Sequence, residues 1–140
     1  MSFSKDVRKF TAKYQKRLEA TAKTAVQDLE GEISTVTGDG GRLRIDTGFL
    51  RVSFGWGLGN MPAGPTKGEP GVDYRNSETL TGDPLAVALA KWDFSQPLYG
   101  GFSANYARFR EFRDGFVRGG TEKWDSIVAS AAKRAKARIR

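Results

Sequence analysis

Apolar residues recur at steps of three and four from the first residues of the chain. Phe3, Val7, Phe10, Tyr14, Leu18, Ala22, Ala25, Val26, Leu29, Ile33 and Val36 share one helical face, while Lys, Arg, Gln and Glu fill the others. The pattern predicts one amphipathic helix over residues 3–36, capped by Ser2 or Ser4, weakened at Gly31 and ended by Gly38. At the helical rise this is a rod of about 50 Å, whereas a compact chain of this length is only about 30 Å across. One end of the rod is therefore expected to overhang, with an apolar stripe that wants a neighbour.

After the turn cluster Thr37-Gly38-Asp39-Gly40-Gly41 the period changes to two. Leu50, Val52, Phe54, Trp56 and Leu58 alternate with Arg51, Ser53, Gly55, Gly57 and Gly59, which predicts a strand with one buried face. The glycines on its other face point to bulges, strong twist or close approach by another backbone. Residues 57–83 are rich in Gly and Pro and predict a long exposed arm or loop, ordered only on contact with a partner; Met61, Pro62, Pro65, Lys67 and Pro70 are its candidate contact residues. Asp83-Pro84 predicts a short helix to Lys91 or Trp92, with Asp83 as cap and Pro84 as first helical residue; the alternation of Leu85, Val87 and Leu89 leaves a strand as the alternative. Pro97 to Phe102 reads as extended, and Tyr106 to Phe112, alternating aromatics with charges, as a strand or irregular edge. Thr121 is the expected cap of a last helix whose apolar face is Trp124, Ile127, Val128, Ala131, Ala135 and Ile139. The sum is a single α+β domain over residues 1–140: a long N-terminal and a C-terminal helix packed on a small antiparallel β-sheet.

Composition then narrows the chemistry. The chain has 140 residues with no cysteine and no histidine, so disulfides, thiolate zinc sites and every His-dependent triad are excluded. No cofactor or metal site is expected. No apolar run reaches membrane-spanning length, so no membrane partner is expected. Met1-Ser2-Phe3-Ser4-Lys5-Asp6 lacks the apolar core of a signal peptide, which makes cytosolic synthesis the expectation. The net charge of +7 belongs to the ends: residues 1–23 and residues 118–140 each carry seven Lys/Arg against two acids. Lys133, Arg134, Lys136 and Arg138 are a candidate basic surface, for nucleic acid or for an acidic protein, with a solvated helix face as the plainer alternative.

Three motifs invite a chemical reading. Asp46-Thr47-Gly48 matches the aspartic-protease triplet, but that chemistry needs a second carboxylate about 3 Å away, and Phe49 follows where a small residue is needed. A turn launching the strand at Phe49 is the simpler reading. Gly55-Trp56-Gly57-Leu58-Gly59 lacks dinucleotide spacing, and Gly64-Pro65-Thr66-Lys67-Gly68 lacks the ending of a phosphate-binding loop. The chain is expected not to be an enzyme.

Five stretches, in order, carry a resemblance. Asp46-Thr47-Gly48-Phe49-Leu50-Arg51-Val52-Ser53 follows the long helix. Pro97-Leu98-Tyr99, then Tyr106-Ala107 with Glu111, then Gly115-Phe116-Val117-Arg118 and Trp124-Asp125-Ser126-Ile127-Val128 come after it in order. In this order they resemble the neck and tail-completion proteins of long-tailed bacteriophages, related to the minor tail protein Z of lambda-like phages. Phe102, Asn105 and Arg113 depart from the family pattern, which has Asn, Pro and Gly there. The resemblance implies a structural virion protein, assembled in the host cytoplasm as a ring homo-oligomer, most simply a hexamer, at the head–tail junction. Its implied partners are the head-closure (stopper) protein and the tail terminator or tail tube protein, with genomic DNA passing through the lumen in non-specific contact. Phe3, Phe10, Tyr14, Arg51, Tyr106 and Glu111 are the implied subunit-interface candidates, Glu111 by pairing with a cation across the boundary, with an exposed intrachain pair as the plainer alternative. The alternative is a small basic DNA-binding or packaging accessory protein.

Overall fold

The computed structural model describes residues 2–140, in an α+β arrangement. The chain divides into two compact units, one formed by the residues up to Gly31 with Gly120–Arg140, the other by Glu32–Gly119.

The first unit is a helical hairpin. Helix α1 runs Phe3–Ser34, and the Ser2 hydroxyl accepts the Lys5 amide at 3.3 Å, as the sequence predicts for its cap. It stops at Ser34 rather than reaching Gly38. Val36 turns extended (φ −79°, ψ 160°), a 3-10 turn follows at Thr37–Asp39, and the Thr37 amide donates to the Leu43 carbonyl. The C-terminal helix, α6 below, runs Trp124–Arg138 and lays Ile127 and Ala131 on Ala25, with Leu29 and Val128 beside them. Ala25 and Ala131 are fully enclosed, and their small size lets the two helices approach closely. Arg134 pairs with Asp28, and Arg17 Nε donates to the Ile139 carbonyl at 2.6 Å, so the helices run antiparallel and α6 ends level with Arg17. Residues 3–16 of α1 extend beyond it.

The second unit is built on two antiparallel strands, β1 (Phe54–Leu58) and β2 (Leu98–Phe102), paired from Phe54 opposite Phe102 to Leu58 opposite Leu98. A chain of aromatic rings forms its core: Trp56 on Phe54 at 5.3 Å, Phe54 on Phe102 at 4.7 Å, and Phe102 on Phe116 at 5.1 Å. Such edge and tilted contacts add about 0.5–1.5 kcal/mol each to the burial of the rings. Helix α3 (Leu85–Lys91) buries Leu85, Ala88 and Leu89.

Four local expectations are corrected. Residues 49–52 are not the start of the strand but a helical turn, α2 (Phe49–Val52), entered from Gly48 at φ +87°. Phe49, Leu50 and Val52 are all buried, so burial here does not follow strand alternation. Residues 107–114 form helix α4 (Ala107–Asp114) rather than an edge strand, and Gly115, left-handed at φ +67°, returns its amide to the Glu111 carbonyl as a helix stop. Thr121 does not stand at the cap position of the last helix; it lies inside α5 (Phe116–Glu122), and Lys123 occupies the position before α6 without a side-chain cap. Pro84, not Asp83, stands at the cap of α3, because Asp83 is held one step earlier by a two-way backbone pairing with Trp56.

The segment 57–83 is attached to its own unit along much of its length, where the sequence predicts an arm awaiting a partner. Thr79 Oγ1 donates toward the Val52 carbonyl at 3.0 Å and Phe54 at 2.5 Å, and the Leu80 amide donates to Val52. Thr81 is fully buried and shares a 2.6 Å hydrogen bond with Ser103, whose hydroxyl also lies 2.6 Å from the Pro65 carbonyl. This explains one glycine of the strand. A Cβ on Gly55 would collide with the Thr81 carbonyl, so the close approach of a second backbone anticipated from the sequence is made by this same segment.

Candidate functional site

Two of the stretches that carry the resemblance, Asp46–Ser53 and the one that begins at Tyr106, meet in the second unit. The Asp46-Thr47-Gly48 turn presents Phe49 toward Tyr106 at the entrance of α4, with ring centroids 6.4 Å apart, and toward Tyr74 at 5.3 Å. Between them lies a cleft of about 120 Å³ lined by Arg44, Asp46, Thr47, Gly48, Phe49, Leu50, Tyr106 and Arg110. The Thr47 and Asp46 side of the turn continues into a second, broader cleft with Val72, Asp73 and Arg75.

Two guanidinium groups reach the first cleft, and both lean on Asp114 behind it. Arg44 Nε stands 3.5 Å from Asp114 Oδ1, and Arg110 Nη1 stands 3.9 Å from Oδ2, an oxygen with no hydrogen-bond partner. Burial pushes the Tyr106 phenol above its ordinary range; Arg110 opposes this and Asp46 adds to it. At neutral pH Tyr106 is therefore a hydrogen-bonding phenol and not a base. Asp46 is exposed; the first cleft brings it no second carboxylate, while the second is lined also by Asp73, which Arg75 holds. Among the described residues no group of acidic side chains is arranged to hold a metal ion. The cleft can bind a side chain or a small anion.

The turn's surroundings account for several candidates. Arg51 is spent within the chain, donating to the Arg75 carbonyl at 2.7 Å and to Ser77 at 3.2 Å. The Tyr74 amide donates to the Thr47 carbonyl at 2.7 Å, and its phenol accepts the Glu69 amide at 2.9 Å. Asp73 is held down to about 2, first by the side-chain hydrogen bond from Arg75 and then by the Arg75 amide. Asn105, where the family pattern has Pro, uses the amide that Pro lacks, donating to the Thr66 carbonyl at 2.9 Å.

Glu111 is bonded within its own chain. Its two carboxylate oxygens accept the amides of Val117 at 2.7 Å and Arg118 at 2.9 Å. A carboxylate at the start of α5 satisfies donors that the helix itself leaves open. Both carboxylate oxygens are thus engaged within the chain.

Two apolar faces stand open, one in each unit. On α4, Phe109 is 75% and Phe112 86% exposed, three residues apart and so side by side. The sequence reading placed both rings on a strand and therefore missed this face; Gly115 as a helix stop and Arg110–Asp114 at i,i+4 were the signals for a helix. On α1, Phe3 (83%), Phe10 (62%) and Tyr14 (45%) are open, together with Val7 and Leu18. Of the other candidates, Met61, Pro65, Lys67 and Pro70 are exposed and Pro62 is half-buried, while Lys133, Lys136 and Arg138 point to solvent and Arg134 is engaged by Asp28. Among the described residues, no helix is long and apolar enough to cross a membrane. No protein-family model, no curated protein and no solved structure matches the chain.

Proposed function

We propose that this protein is a structural assembly subunit of a phage particle, a ring component of the neck that joins the head-closure ring to the tail terminator. The observation that carries the reading is the open Phe109–Phe112 face of α4, which lies within the segment of the resemblance. Two large rings left in water side by side are costly in an isolated protein and are what a subunit contact covers. Negative-stain imaging of the purified protein, alone and with the adjacent head-closure and tail proteins, tests it. Rings of defined symmetry in either sample are the expected result. A protein that stays monomeric beside both partners refutes it.

A DNA-binding accessory protein is the second reading, and one observation favours it. The helical hairpin carries 13 Lys/Arg against 6 Asp/Glu, the whole net charge of +7, while residues 32–119 are balanced at ten and ten. Neutralising Lys133, Lys136 and Arg138 together should then abolish duplex affinity at low salt. Absence of any duplex affinity in the unaltered protein at low salt removes this reading.

A further inference from the structure

We infer that residues 3–18 of α1 are the docking seam for an acidic amphipathic helix of a different protein. The inference stands on the charge and geometry of the hairpin and does not depend on the ring reading.

The seam is a continuation of one already filled. Taken at 100° per residue, Phe3, Val7, Phe10, Tyr14 and Leu18 fall on the same face as Ala25, against which α6 packs. α6 ends where Arg17 meets the Ile139 carbonyl, and the stripe runs on for about 20 Å with no element of the hairpin upon it. Its occupant has therefore the place of a second helix, laid along the same stripe beyond the end of α6.

The width of the stripe selects a helix over a lipid surface. The five side chains span an arc of about 80°, and their steps of four, three, four and four are those of a helix–helix seam. A helix lying in a bilayer interface presents a broader apolar face. Here Thr11 and Gln15 stand close beside the stripe on one side and Lys13 and Arg17 on the other.

Charge selects the kind of helix. Residues 2–18 hold six Lys/Arg and one acid. Among the described residues, Lys5, Arg8, Lys9, Lys13 and Lys16 make no ion pair, and Arg17 is turned to a carbonyl and the Tyr14 ring. Lys136, Arg138 and Arg140, at the end of α6, add cations where the occupant would begin. A second copy of α1 would set like charge against like, and the balanced residues 32–119 of a second copy offer no excess of acid. A helix with leucine-like residues facing the stripe and Glu or Asp on its flanks satisfies both features.

The test uses the full chain and a labelled probe peptide of about three heptads, leucine at a and d and glutamate at e and g, followed by fluorescence anisotropy. The expected result is saturable binding that weakens as salt rises and falls at least tenfold in Phe10→Ser and in Leu18→Ser. Both positions are exposed, so the variants keep their fold, and their circular dichroism should match the parent. The lysine counterpart of the peptide should not bind. Three results overturn the inference: no binding of the acidic peptide; binding that ignores both serine variants; or binding of phosphatidylglycerol vesicles, or of the chain to itself, that both variants abolish while the acidic peptide is not bound. Ring formation with head and tail proteins is read separately, so either proposal can fail alone.

Discussion

Replacing Glu111 with alanine removes two charge-assisted hydrogen bonds, 2.7 and 2.9 Å long, from the amides of Val117 and Arg118 at the start of α5. Losing a single cap costs about 0.5–2 kcal/mol, and hydrogen bonds to a charged group lie at the upper end of their class. Glu111 is partly exposed, so water recovers some of the loss, and about 1.5 kcal/mol is the expected cost of Glu111→Ala. Glu111→Gln keeps one acceptor and should cost about half as much. The assay is urea denaturation followed by tryptophan fluorescence in a Trp124→Phe background, where the remaining Trp56 and Trp92 report on residues 32–119 alone. The midpoint should fall without a change in slope. If Glu111→Ala leaves the midpoint in place but abolishes assembly with partner proteins, the intrachain cap is not the residue's task, and the interface role implied by the resemblance is restored.

Three further outcomes follow from the same geometry. Gly55→Ala should destabilise by about 1–3 kcal/mol, since its Cβ meets the Thr81 carbonyl, whereas Gly31→Ala, with nothing near its Cβ in a helix, should stabilise by about 0.5–1 kcal/mol; urea midpoints of the two decide it. Ala131→Leu should overpack the hairpin seam and cost about 1–3 kcal/mol, read as a lower helical melting temperature by circular dichroism. Asp73 should titrate near 2 by carboxyl-carbon NMR and return toward its ordinary value in Arg75→Ala. Because its folded value is depressed, its small contribution is present above the unfolded value near 3.8 and fades as pH falls through about 2; an unshifted Asp73 refutes the pairing.

The two helices of the hairpin, though not their pairing, were legible in the sequence because their residues keep one period for many turns. Ala25, Leu29, Ile127 and Ala131 repeat at three and four, and they are the residues that pack. Strand β1 was legible from Phe54 on, where Trp56 and its glycine neighbours alternate. The failures lie where local pattern and tertiary surroundings part. At Phe49–Val52 burial on all sides makes a helical turn and a strand indistinguishable by periodicity. At Ala107–Asp114 the alternation of aromatics and arginines imitated a strand, because Phe109 and Phe112 face solvent and the usual link between apolar character and burial is reversed. The Gly- and Pro-rich segment was read as free because its ties run from Thr79 and Thr81 to backbone carbonyls and to Ser103, distant partners that composition does not reveal. The meeting of the Asp46 turn with Tyr106 was likewise a matter of topology; only the sequence order of the two segments hinted that they belong together.

Sedimentation velocity of the unaltered protein and of a Phe109→Ser, Phe112→Ser variant, over a range of concentrations and with head-closure and tail terminator proteins added, tests the central claim most directly. Covering both rings is worth about 3–6 kcal/mol, so the variant should lose two or more orders of magnitude in association while keeping its circular dichroism. A discrete multiple of the subunit mass that disappears in the variant is the predicted result. A monomer under every condition, or an assembly indifferent to the loss of both rings, contradicts the account.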